Sequence, residues 1–282
     1  MLKTKQIVVI VSVVALMAVF LSLDIKGLVK PKEGRSVGSA GETASVKTSI
    51  VTVESVSTSA KQELNASLLS EISILEDSLR SASENDKAIL ASKLAQKWDD
   101  VNQPAPAAFY YEQIAKNENT FANWLKAADR FATSYENTQD SLVQPELVHK
   151  AFETYQKALK LDSLSLEAKT GLGVAYVNGA GSPMQGISLL LAVVKEDPNN
   201  IKANMSLGLF SIKSGQFDKA VSRFKTVVAT KPTPEAWFYL ASCYENQGLK
   251  EDAIAAYIKS KELAADPNLG KFVDSKILEL RK

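Results

Sequence analysis

Residues 234–267 read PEAWFYLASCYENQGLKEDAIAAYIKSKELAADP. Trp237, Leu240, Ala241 and Tyr244 recur at three- and four-residue spacing, which is the period of one helix face. Ala253 and Tyr257 repeat that spacing beyond Gly248, which sits where a helix must stop because a left-handed residue there satisfies its last carbonyls. The unit is a helix, a turn and a second helix. Thirty-three residues earlier the same skeleton returns as Leu207-Gly208, Gly215, Ala220, Phe224 and Pro232. A recurrence near 34 residues implies a stack of helical hairpins, because no single hairpin buries its own apolar face.

The pattern continues upstream. Leu172-Gly173-x2-Tyr176 opens another copy, closed by Gly186, Leu190, Val193 and Asp197-Pro198, with a turn from Asn178 to Pro183 that is one residue longer. Trp124-x2-Ala127-Ala128-x2-Phe131 opens a further copy, closed by Ala151, Tyr155 and Ala158. Its helices are separated by an insertion of about ten residues around Gln139 to Pro145, and such insertions map to loops of a solenoid. Leu94-Ala95-x2-Trp98, then Ala107, Tyr111 and Ile114, give a first copy. Small residues (Gly208, Gly173, Ala241 against Ala220, Gly186, Ala253) let helix axes approach, and Pro198 and Pro232 end second helices.

These residues closely resemble the tetratricopeptide repeat family, whose pattern is W-x2-L-G-x2-Y followed by A-x3-F…P. The resemblance implies an all-α fold, a helix-turn-helix repeat solenoid, and a role in holding another protein or peptide. The expected organisation places the repeats at 88–268, divided as 88–120, 121–165, 166–200, 201–233 and 234–268. An N-terminal flanking helix is expected within 61–87, where Leu64, Leu68, Ile72, Leu75 and Leu79 share a face. It is read as packed on the first repeat, with a short dimerising coiled coil over residues 62–81 as the alternative. Residues 269–282 form a capping helix with Phe272, Val273, Ile277 and Leu280 on one face, as a soluble solenoid end requires.

Ahead of the repeats, Ile7 to Leu23 is seventeen residues without a charge. That is at the short end of the roughly 17–25 residues that span a bilayer. Phe20-Leu21-Ser22-Leu23-Asp24 offers no small-x-small cleavage site, and no cysteine follows the run, so residues 1–26 are read as an uncleaved, single-pass transmembrane anchor. Residues 27–60, rich in Ser, Thr, Val, Gly and Lys without helical period, are read as a flexible linker. Lys26, Lys30, Lys32 and Arg35 after the run would keep the repeats cytoplasmic by the positive-inside rule. An apolar run six residues from the initiator, behind Lys3 and Lys5, instead looks like a signal-anchor. The reading adopted is the exported, periplasmic side of a bacterial membrane, with the cytoplasmic side as the alternative.

Composition excludes several function classes. The 33 basic and 32 acidic residues leave a net charge of +1 and alternate along the helices, so no field attracts nucleic acid. One histidine, His149, and one cysteine, Cys243, allow neither a multi-histidine metal site nor an internal disulfide. Cys243 reads as a small packed residue and His149 as an exposed residue just before a helix that starts near Ala151. Gly171-x-Gly173 and Gly179-x-Gly181 follow no strand and do not continue as G-x-G-x-x-G. The adjacent carboxylates Asp99-Asp100 and Glu251-Asp252 point to different sides of a helix. No enzymatic activity and no cofactor are expected, because repeat solenoids of this kind act as scaffolds.

The family resemblance assigns the concave groove to the first helix of each repeat, at its second, fifth, ninth, twelfth and thirteenth positions. Those positions are Glu167, Thr170, Val174, Val177 and Asn178 in the third repeat. They are Lys202, Met205, Leu209, Ile212 and Lys213 in the fourth, and Glu235, Phe238, Ser242, Glu245 and Asn246 in the fifth. An apolar stripe with a charged rim suits an extended or helical peptide. The alternative for Val174 and Leu209 is packing against neighbouring helices. Co-chaperone members clamp a terminal carboxylate with Lys and Asn at the fifth and ninth positions. The pairs here (Ser92/Gln96, Leu125/Asp129, Thr170/Val174, Met205/Leu209, Phe238/Ser242) do not match, so that sub-class is disfavoured. Two functions remain: a membrane-tethered adaptor holding a protein or peptide in the groove within a larger complex, and a self-associating scaffold, dimerising through the 62–81 helix or stacked repeats.

Overall fold

The structure is a computed structural model, which describes residues 51–180 and 182–282. Thirteen α-helices account for most of them, and no strand occurs among the described residues. In chain order they are α1 (Val53–Lys61), α2 (Ala66–Ser81), α3 (Glu84–Asp100), α4 (Pro104–Asn117), α5 (Phe121–Asn137), α6 (Gln144–Leu161) and α7 (Leu166–Ala175). There follow α8 (Pro183–Glu196), α9 (Ile201–Lys213), α10 (Phe217–Thr230), α11 (Pro234–Asn246), α12 (Lys250–Leu263) and α13 (Pro267–Leu280). Tyr176–Ala180 extends α7 as a π-helical turn that breaks at Gly179, φ 121°.

From α3 to α12 the helices pack as five successive antiparallel pairs, each against the next, and α13 packs on α12. Their starts are set chemically. Thr120, Ser165, Asn200, Thr233 and Asp266 each stand just before the first helix of a pair, or before α13. Each accepts a backbone N–H two or three residues on through its side-chain oxygen. Pro234 and Pro267 then occupy the first helical position, where no N–H is needed. The turns between paired helices close on Gly215 and Gly248, at φ 70° and 74°.

Trp98, Phe131, Tyr155, Phe224 and Tyr257 are the largest fully buried side chains. Burying each stabilises the array by about 1.5–3 kcal/mol. Close helix approach is real at the third pair, where a Cβ on Gly173 would meet the Gly186 carbonyl oxygen at 3.1 Å. At the fourth pair the residue occupying the space above Gly208 is Phe224, 2.7 Å from an added Cβ, and not Ala220.

Three expectations change or fall outside. The linker reading of 27–60 does not hold over its last residues, because Val53–Lys61 is helical. Thr52 and Ser55 form a reciprocal capping box there, and Val56, Ser57 and Ala60 are buried. Helix α6 begins at Gln144, so His149 lies within it, half exposed and 3.3 Å from Glu153, instead of ahead of it. Ile72, Leu75 and Leu79 of α2 pack with Leu94, Trp98 and Tyr110 of the first pair, leaving Leu69 and Ile74 as its exposed large apolar residues. The apolar run 7–23 lies outside the described residues. Among those described, no helix is long and apolar enough to cross a membrane.

Candidate partner-binding groove

The first helices of neighbouring pairs touch one another: α9 lies against both α7 and α11. This row carries the fifteen groove positions; Glu167 and Glu235 are exposed and Thr170 is buried, and the exposures of the other twelve differ. Asn178, Lys202, Lys213 and Asn246 are exposed. Val177, Met205, Leu209, Ile212, Phe238, Ser242 and Glu245 are half-buried. Val174 is buried, in a cluster with Leu190, Val193, Val194, Ala203 and Leu207, so its packing role leaves a partner almost nothing to touch. Met205, Leu209, Ile212 and Phe238 pack at their bases on the core of the last two pairs and keep part of their surface open.

Phe238 anchors one end. Its ring meets Tyr257 edge-on, with centroids 5.6 Å apart, and lies 5.8 Å from Phe272 of α13. Phe272 is 48% exposed although its neighbours Val273 and Ile277 are buried. The apolar period of residues 269–282 places Phe272 on the packed face of the cap. Its tilted contact with Phe238 extends the apolar stripe by one residue, and only the helix rotation reveals this.

The polar rim is already engaged. Tyr257 donates to Glu245 at 2.6 Å, and Lys276 of α13 donates to the other oxygen at 3.0 Å. Burial alone would raise the Glu245 pKa, but these two bonds hold its carboxyl below the usual range. Tyr111 donates to Asp99 at 3.0 Å, and Arg130 Nε of the following helix lies 2.8 Å from the other Asp99 oxygen. That contact is an ion pair whose N–H is off-line for a hydrogen bond. Tyr155 donates to Asp129 at 2.6 Å, and Lys202, two pairs further on, reaches to 4.0 Å of the same oxygen. Asn178 donates to the Tyr135 hydroxyl at 3.3 Å.

A rule unites these pairs. Tyr111, Tyr155 and Tyr257 occupy the place that Leu190 and Phe224 take in the third and fourth pairs. Where the second helix presents a tyrosine, the first helix presents a carboxylate. Where it presents Leu190 or Phe224, the positions that correspond to Asp99 and Glu245 are Val177 and Ile212. Two of the three tyrosines lie twelve residues after their carboxylate. That spacing is readable in the sequence, but an apolar-period reading counts Tyr and Phe alike. The row is therefore apolar in its middle and hydrogen-bonded at both ends. Among the described residues, no cluster of three or more His, Cys, Asp or Glu side chains is arranged to hold a metal ion.

Paired helices, small-residue crossings and a continuous row of first helices define a helical-repeat interaction module. Residues 212–268 match the tetratricopeptide-repeat family model, which places this segment in that family. A curated relative, the BBSome complex member BBS4 of Bos taurus, is 27% identical over 176 residues. The match takes in 62% of this chain and 34% of the relative, so the chain spans about a third of that protein's length. Among solved structures, the crystal structure of MamA protein is 22% identical, covering 63% of this chain and 92% of that one, with a TM-score of 0.47. YrrB, described as a TPR protein with an unusual peptide-binding site, is 18% identical, covering 71% and 97%, with a TM-score of 0.44.

Proposed function

We propose that this chain is a membrane-tethered adaptor whose α7–α9–α11 row holds a peptide or protein segment within a larger complex. The observation that carries the reading is the half-open apolar strip Val177, Met205, Leu209, Ile212 and Phe238, extended by Phe272 and bounded by polar residues. Such a strip fits the alternating or helical apolar side chains of a docked segment, and the rim fixes its register. The relative's printed name, a member of a protein complex, accords with an assembly role. Tethering rests on the uncharged run Ile7 to Leu23, and the exported side on the lysines ahead of it.

The test is site-specific photo-crosslinking in cells from position 205 or 238, with the exposed Gln156 as a control on α6. A discrete adduct from the groove positions, absent from the control and lost in a Met205→Glu, Leu209→Glu, Phe238→Glu variant that keeps its helical circular dichroism, is the expected result. No adduct from either groove position would sink the reading. The self-association alternative has less support, since the apolar face of α2 is largely covered by the first pair. Sedimentation of the full chain with Leu68→Glu and Leu75→Glu separates the two, because only a scaffold built on that helix changes its assembly state.

A further inference from the structure

A second cavity lies away from the groove, between α1, the α3–α4 turn and the loop joining α5 to α6. We propose that it binds an extended peptide segment carrying an aliphatic side chain beside a lysine or arginine. Its walls come from the two places where the chain departs from the repeat. Helix α1 has no counterpart among the five pairs, and the α5–α6 loop, residues 138–143, lies where an insertion is expected in the sequence although it is only six residues long, and insertions are elements that repeat proteins often place on binding faces. The cavity measures about 890 Å³, within the range of ligand sites.

Its chemistry narrows the occupant. Val51, Val56 and Leu147, all buried, form an apolar floor able to take an aliphatic side chain. Among the described lining residues Glu63 and Asp140 are the charged ones, and both are exposed at the rim. With these two carboxylates and no lysine, arginine or histidine among the described lining residues, the cavity disfavours phosphates and acidic segments and favours a cationic one. The lining holds no aromatic ring, so a flat base has nothing to stack on. Asn102, Gln103, Asn137 and Gln139 instead supply side-chain amides, each both donor and acceptor, which match the groups of a peptide backbone. One of them is already set against the rim acid, since Gln103 donates to Glu63 at 2.7 Å.

The experiment pans the full-length chain in detergent against a displayed random octapeptide library, then measures the recovered peptide in solution. The expected peptides pair Leu, Ile or Val with an adjacent Lys or Arg. Their affinity should fall at least tenfold in the surface variant Glu63→Lys/Asp140→Lys, and likewise in the cavity-filling Ala105→Trp. It should stay unchanged in Met205→Glu/Leu209→Glu. Recovered peptides without a basic residue overturn the proposal, as does binding that survives Glu63→Lys/Asp140→Lys. Loss of binding in the groove variant alone also overturns it, and moves the peptide to the groove. Circular dichroism of the charge-reversal variant keeps misfolding from standing in for lost binding.

Discussion

Tyr155 reaches Asp129 only because Gly171 carries no side chain. A Cβ built on Gly171 would lie 2.5 Å from the Tyr155 hydroxyl oxygen and closer still to its Cζ, far inside van der Waals contact. Gly171→Ala therefore forces the ring aside, and the expected cost is about 1–3 kcal/mol, as for other overpacked sites, read as a lowered urea midpoint. Burial, and then the Asp129 charge beside it, raises the Tyr155 pKa, so its hydroxyl remains a donor across the neutral range. Burial also pushes the Cys243 thiol up to about 11, and Tyr111 and Tyr135 to about 12. Each of these groups holds its proton more tightly folded than unfolded. Their contribution is fully present below about pH 9 and is lost as pH climbs through about 9 to 12. Urea midpoints should be flat from pH 7 to about 8.5 and fall above it, and Cys243 should react with a thiol reagent at pH 8 only after denaturant is added. A midpoint that rises above pH 9 would contradict this assignment.

Individual helices differ in how plainly the sequence announces them. The paired helices are legible because small and large residues alternate at a fixed period, and because Thr233 and Asp266 cap helices that continue with proline. Helix α1 is not legible. Its residues, VESVSTSAK, are mostly Ser, Thr and Val, which favour helices weakly. Its capping box uses Ser55 where Glu or Gln is the usual signal. Tertiary burial of Val56 and Ala60 overrides the propensity. The groove was legible as a row of positions and not as a surface, because exposure depends on helix rotation. Val174 and Phe272 exchange roles on that account. Helix α13 is held by the burial of Val273 and Ile277, by Lys276 on Glu245, and by Lys261 on Asp274 at 2.6 Å. Removing residues 267–282 should cost roughly 3–6 kcal/mol from the two apolar side chains alone, visible as a lower thermal midpoint. Lys261→Ala, a surface pair, should cost under about 1 kcal/mol.

At the scale of the whole molecule, the proposed tether would decide which partners can reach the candidate groove. Ser59 is exposed on α1, and Cys243 is fully buried, so a Ser59→Cys variant offers one accessible thiol without further change. A membrane-impermeant maleimide should label it in intact cells if the repeats lie on the exported side, and only after lysis if they lie in the cytoplasm. The second outcome would reverse the orientation proposed here and leave the groove assignment intact. The docking of α1 has a mechanical consequence. A pull applied through the chain ahead of Val51 arrives first at α1, which is packed on α4 and joined to α2 by the Lys61–Glu76 ion pair. The load is thus taken up at the first helical pair, three pairs away from Met205 and four from Phe238. Tension on the proposed tether would peel α1 from its seat before it bent the row of helices proposed to receive a partner.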